Sequence, residues 1–368
     1  MSIKDSKTKS LIVIMLVYLL AGAAGVALAY LLPWHYLLNL LIADIAGTVI
    51  VFLFSLIFSN ASVYDPYWSV LPVVAVTGFA FGRNLTLLGI LQIIMIWIWG
   101  VRLTGNWVYT FGNLKSQDWR YTRYQNKTGK WYPIVNFFGI HLMPTLIVYA
   151  CILPAVCVIC EQVEGSAIGT PFLLISLLAV VLQGTADFQM HVFRKTHKGK
   201  LIRTGLWKHS RHPNYLGEIL MWWGIGLSAV ISLGGKWYLL AGALINTLLF
   251  LFVSIPLAEE RQAKKPGFAE YKRETRMLLP IPRTLGLSDQ GQGFTAGAFS
   301  KKQPKPAIPF DPETQYAVIR SSICTGEKVA GFKNKADGHF TEVMLITSEA
   351  DERKFKNLYG IDTIKTEY

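Results

Sequence analysis

Residues 206–233 read LWKHSRHPNYLGEILMWWGIGLSAVISL. Lys208, His209, Arg211 and His212 crowd ahead of Pro213, and after Glu218 the stretch runs uncharged to Leu233. A basic edge followed by an apolar run marks a helix that enters a bilayer, with cations left at the headgroups. Glu218 falls inside the first turn of that helix. A carboxylate at this depth is costly unless it pairs with a cation or a ligand. The stretch therefore predicts a transmembrane helix that starts with a polar group in need of a partner.

Composition extends this reading to most of the chain. The 368 residues are 52% hydrophobic, 13% aromatic and 16% charged, where a soluble protein carries about 25% charge. Apolar runs fall near 10–32, 37–58, 69–83, 86–101, 134–159, 168–190, 216–233 and 238–257. A span needs about 20 apolar residues. The third and fourth runs are short and separated by little more than Gly82, Arg83 and Asn84, so the count is seven or eight. The first run is too long for a cleavable signal and has no small-residue cleavage site. Fold class is thus an all-α polytopic membrane bundle with a small cytosolic α+β module behind it.

The net charge of +13 is spread in a way that favours a membrane over nucleic acid. Lys4, Lys7 and Lys9, the 102–133 loop and the 191–213 loop carry the cations, while the opposite loops hold Arg83, Lys236, Glu161 and Glu164. The positive-inside rule then places both termini in the cytoplasm, in an inner (cytoplasmic) membrane with lipids as neighbours. The basic tails oppose an odd number of crossings. Cys157 and Cys160 form CVIC at an apolar helix end, where small apolar packing is their ordinary role. No Cys/His group has zinc spacing and no GxGxxG follows a strand.

Residues 1–283 form the membrane domain. Pro280, Pro282 and the Gly-, Gln- and Lys-rich stretch that follows mark a linker over 284–312. From 313 to 368 the pattern turns soluble. QYAVIRSSI, EKVAGF and HFTEVMLI read as strands, and SEADERKFKNLYG reads as a helix with Ser348 as N-cap and Gly360 as stop. Cys324 sits in the turn-like SICTGE, as a reactive thiol or a buried strand-end residue. A β-β-β-α module of about 55 residues is marginal alone. The sequence names no protein partner for it.

Polar residues gather at the span ends of one face: Asp65 in NASVYDPYWSV, Arg102 and Asn106 in WIWGVRLTGNWVY, and Asp187, His191 and Arg194 in TADFQMHVFRK. Asn214, Tyr215 and Glu218 open the seventh span, and AEERQAKKPGFAEYKRETRMLLP follows the eighth. Tyrosine and tryptophan at such positions ordinarily form an interfacial belt, and lysines snorkel. Asp65, Asp187 and Glu218 gain nothing from anionic headgroups, so they point to a pocket for an anionic polar ligand. Arginine forks there suit phosphates.

Over residues 183–283, TADFQMHVFRK, LWKHSRHPNYLGE and GFAEYKRETRMLLP resemble the C-terminal half of the steroid 5α-reductase superfamily, nearest its bacterial DUF1295-type branch. DPYWSV, RLTGNW and DWRY fit the same group more loosely. The related isoprenylcysteine carboxyl and phospholipid methyltransferases carry a similar RHP-x-Y-x-G turn and use S-adenosylmethionine, which supplies the second reading; a non-catalytic lipid-binding protein is the third. The reductase resemblance implies an NADPH-dependent enzyme of lipid metabolism, which reduces the carbon-carbon double bond of a lipophilic α,β-unsaturated carbonyl taken from the bilayer. It implies cofactor contacts from Asp187, Arg194, Arg211, His212, Asn214, Tyr215, Glu218, Arg261, Tyr271 and Arg276, with Asn214 and Glu218 at the nicotinamide carboxamide and Arg194 and Arg211 at the phosphates. It implies Asp65 as the acid that grips the substrate carbonyl. The matching tyrosine position falls near Trp99, which leaves Tyr64 or Tyr67 to supply the phenol.

Overall fold

The computed structural model describes residues 3–281, 310–321, 328–346, 349–361 and 364–367. Cys324, Ser348 and most of the linker lie outside the described residues. Two compact units result, Met1–Gly286 and Leu287–Tyr368.

The first unit is a helical bundle. Helix α1 (Lys7–Leu31) begins where the Ser6 side chain accepts from Lys9 N, and α2 (Tyr36–Phe58) ends at Ser59 in the left-handed conformation. Helix α3 (Tyr67–Ala80) has 14 residues, a rise of about 21 Å against a hydrocarbon core of about 30 Å. It is therefore too short to cross unaided. The Thr86 hydroxyl caps α4 (Leu87–Thr110) by accepting from Gly89 N. Helices α5 (Trp119–Thr128) and α6 (Tyr132–Val135) lead through a π-helical segment, Asn136–Leu142, into α7 (Met143–Cys160). Then come α8 (Leu173–Thr196), α9 (Pro213–Ser232), α10 (Ala241–Leu249), α11 (Ile255–Gln262) and α12 (Phe268–Glu274).

Seven of these stretches are long and apolar enough to cross a membrane, so the chain is a multi-pass membrane protein. Two sequence expectations change here. Helix α4 continues nine residues past its expected end at 101, which puts Arg102 and Asn106 on a helix rather than in a loop. The fifth span is continuous with α5, so much of the expected 102–133 loop is helical. Large apolar side chains such as Leu19, Leu31, Phe188 and Phe252 are exposed around the bundle, as lipid contact requires. The interior packs Ile96, Trp99, Ile152, Met221, Trp222 and Ile225.

Helices α8 and α9 form the closest helix pair, and two glycines on α9 make that approach possible. A Cβ at Gly217 would stand 2.5 Å from Gln183 Cγ and 2.6 Å from Ala179 O, and one at Gly224 would stand 2.8 Å from Phe172 O. Small residues let membrane helices approach backbone to backbone. Gly224→Val is therefore expected to destabilise the bundle by about 3 kcal/mol or more, read as a lower thermal midpoint in detergent; an unchanged midpoint would mean the helices part without cost.

The second unit holds a sheet of order β3-β2-β1-β4, with β1 Gln315–Ser321, β2 Lys328–Asn334, β3 Phe340–Ile346 and β4 Lys365–Glu367. Strand β2 runs antiparallel to β1 and β3, and β4 runs parallel to β1. The expected β-β-β-α module thus gains a fourth strand, three residues long and without a pattern of its own. Helix α13 (Glu349–Tyr359) stops at Gly360, whose φ is +65°. Its Phe355 and Tyr359 pack on Phe332 of the sheet.

Candidate functional site

Three helical stripes converge at one end of the bundle. Helix α4 presents Trp99, Arg102 and Asn106, α8 presents Gln183, Asp187 and His191, and α9 presents Asn214, Glu218 and Trp222. Spacings of three, four and eight hold each set on one face. The Glu218 carboxylate accepts from three neutral donors: Trp99 Nε1 at 2.8 Å, Gln183 Nε2 at 2.7 Å and Trp222 Nε1 at 2.9 Å. The cation expected beside Glu218 is one link away. Arg102 donates Nη2 to Gln183 Oε1 at 2.6 Å and Nη1 to Asp187 Oδ2 at 2.8 Å. Asn214 Nδ2 reaches Asp187 Oδ1 at 3.3 Å, and His191 Nε2 lies 2.6 Å from Asn106 Oδ1.

Glu218 is 6% exposed. Its charge is met by indole and amide dipoles in the bundle interior, and Asp187 holds the ion pair nearer the mouth. Such a connected network is stable because every member has a partner, and removing one leaves its neighbours unpaired. The resemblance places Glu218 at a cofactor; the structure surrounds it with protein donors.

The RHP turn also faces inward. Arg211 donates Nε to Glu259 Oε1 at 2.8 Å and Nη1 to the carbonyls of Lys272 and Thr275, with its side chain 5% exposed. Lys272 Nζ closes the other Glu259 oxygen at 2.9 Å. Arg211 N and His212 N bond to the carbonyls of Arg276 and Met277. Tyr271 donates its hydroxyl to Trp207 O at 2.5 Å. Arg211 and Tyr271 therefore lash the tail after α12 to the start of α9, in place of the direct phosphate and cofactor contacts implied for them. Arg276 lies exposed, with Nε on Ile281 O at 3.1 Å.

Three other cations stand without a carboxylate of their own. Arg194 and Arg261 form no ion pair among the described residues, and they act on each other electrostatically at the outer end of the network, beside Asp187 and Tyr215. Lys265 lies with them and donates Nζ to Lys200 O at 3.1 Å; burial and the two guanidinium charges hold its ammonium below the ordinary lysine range. Arg261 lies over the Trp119 ring at 4.9 Å. The ring of Tyr215 stacks on His212 at 5.3 Å and meets Phe250 at a tilt at 4.9 Å. Three like charges gathered without carboxylates of their own favour an anion.

Tyr64 and Tyr67 pack ring against ring at 5.4 Å, and Asp65 is directed elsewhere. Asp65 accepts from Tyr121 Oη at 2.6 Å, while the Tyr64 hydroxyl lies 2.8 Å from Thr145 Oγ1. Tyr67 donates to Asp44 Oδ1 at 3.2 Å, an acid within α2 that the motif comparison passed over. The tyrosines thus point into the bundle, away from Asp65. Burial pushes the Asp65 carboxyl up to about 6, against the lowering effects of Tyr121 and Arg120. Its folded affinity for a proton exceeds its unfolded one, so its contribution to stability falls as pH rises from about 4 to about 6 and stays lost above that. Asp65→Asn keeps an acceptor for Tyr121 and is expected to melt higher than the parent at pH 8, by up to about 3 kcal/mol, with the gap closing near pH 4. A gap independent of pH would show that Asp65 does not titrate in this window.

A family model described as a protein of unknown function, DUF1295, matches residues 51–275. The chain belongs to the DUF1295 family. An uncharacterized protein of Schizosaccharomyces pombe is 25% identical over 252 residues, which cover 60% of this chain and 70% of the relative. No solved structure matches the chain. The DUF1295 segment takes in α3 to α12, and with them the acid network, the RHP lashing and the cation cluster. Asp44 falls in α2 ahead of it, and the second unit falls after it.

Proposed function

We propose that this DUF1295 protein is an NADPH-dependent reductase of a lipophilic α,β-unsaturated carbonyl and belongs with the steroid 5α-reductase superfamily. The carrying observation is the group of Arg194, Arg261 and Lys265, which hold no ion pair among the described residues, beside the Asp187–Asn214 end of the acid network. The chemistry of this donor set fits the phosphates of a dinucleotide. NADPH bears several negative charges, whereas S-adenosylmethionine is a net cation that the same group repels. This favours the reductase over the methyltransferase reading.

In this account the cluster binds the phosphates, and Asp187 and Asn214 orient the amide of the nicotinamide. Glu218, Gln183 and Arg102 keep those two side chains in place. The bound cofactor supplies hydride to the β-carbon of the enone. A protein hydroxyl or acid would stabilise the charge that develops on the carbonyl oxygen, and a proton from solvent would complete the reduction at the α-carbon, leaving the oxidised cofactor. On the same account the basic C-terminal ends of α4 and α8 put the cofactor mouth on the cytoplasmic side, with substrate arriving from lipid. The chemistry is tested with [4,4-²H₂]NADPH and a lipophilic enone in detergent: a reduced product one deuterium heavier at the β-carbon is expected, and an enone recovered unreduced after stoichiometric binding of NADPH would refute the reaction.

A further inference from the structure

A second polar centre lies on α2, outside the three helices of the acid network. Helices α1, α2 and α3 enclose a groove of about 310 Å³, within the range of small-molecule sites. Its walls are mostly apolar; Asp44 and Tyr67 meet on one wall, and Asn39, Arg83, Tyr18, Tyr30 and Tyr36 add polar groups elsewhere along it. Asp44 is 0% exposed, one carboxyl oxygen accepts from Tyr67, and the other, Oδ2, has no hydrogen-bond partner among the described residues. A buried oxygen left unpaired in hydrocarbon is costly. The groove also has room: Gly22 of α1 and Gly78 of α3 line it, and nothing stands within 4 Å of a Cβ built on either. The neighbouring Val26 and Val74 are 44% and 39% exposed, so the groove is open along the lipid-facing side of α1 and α3.

We infer that this groove binds a lipophilic molecule carrying one oxygen function, an alcohol or carbonyl, and that Asp44 Oδ2 is its polar contact. A hydrocarbon chain or ring matches the walls. A ligand hydroxyl donates to the carboxylate, and a ligand carbonyl accepts from the protonated acid. Tyr67 holds the carboxyl in place through Oδ1 and donates to Asp44 O as well. That the ligand is the enzyme's substrate rests on the proposed reductase activity; its binding does not.

The test uses the full chain in nanodiscs without NADPH and a diazirine-bearing geranylgeraniol as photoprobe. Labelling of α1 and α3 peptides is expected, displaced by phytanol about tenfold more effectively than by phytane, its oxygen-free counterpart, as one buried hydrogen bond implies. Gly78→Phe should abolish the labelling while leaving the melting temperature in place, and Asp44→Leu should bring the two competitors within about twofold. Equal displacement of the probe from the parent protein by both competitors, or labelling that survives Gly78→Phe, would overturn the inference. NADPH binding, measured separately, decides the reductase reading: its absence with discrimination intact removes that reading and leaves the groove assignment standing.

Discussion

Arg194→Ala is expected to weaken NADPH binding by about 30-fold, whereas Lys195→Ala should change it less than about threefold. A charge-assisted bond to phosphate contributes roughly 1.5–3 kcal/mol, and Arg194 has no carboxylate of its own to fall back on. It shares its position with Arg261 and Lys265, whose mutual repulsion is relieved when an anion arrives. Lys195 is one residue along the same helix and exposed. Parallel losses from both substitutions, measured at one fixed ionic strength, would mean that a diffuse basic surface attracts the ligand.

Glu218→Leu should act on stability. It strips the acceptor from two buried indoles and one amide, at about 1–3 kcal/mol for each unpaired donor. Allowing for relaxation, a loss of about 4 kcal/mol and a fall in melting temperature of roughly 8 °C are expected. NADPH affinity of the remaining folded protein should stay within about threefold. Glu218→Gln, which keeps one oxygen, should fall about halfway between in stability. An unchanged melting temperature with affinity abolished would instead place Glu218 against the ligand.

Much of this was legible in the chain because bilayer physics imposes strong patterns. The apolar runs, the soluble tail and the Asp187, Arg194, Asn214 and Glu218 positions all follow from periodicity, charge and a motif. The partners of Glu218 were not legible, because Trp99 and Arg102 come from α4, more than a hundred residues earlier, and spacing within one helix says nothing about which helix adjoins it. Arg102 also misled on the extent of α4. A lone arginine ordinarily ends a span, but here Asp187 and Gln183 satisfy it, so the helix continues past it. Arg211 carries the strongest motif signal and turns out to be committed to Glu259 and to backbone carbonyls. Asp44 was visible as a single acid in an apolar run, yet its significance depends on Tyr67 and the groove, which only packing creates. Strand β4 is three residues long and forms by pairing with β1, which no local pattern announces.

The central claim is that the group of Arg194, Arg261 and Lys265 binds the phosphates of a dinucleotide. Calorimetric titration of the detergent-solubilised full chain with NADPH and with S-adenosylmethionine tests it most directly. Saturable NADPH binding that weakens as salt rises and is lost in the Arg194→Ala/Arg261→Ala double variant is the expected result, with no heat from S-adenosylmethionine. Tight binding of S-adenosylmethionine with no response to NADPH would contradict it.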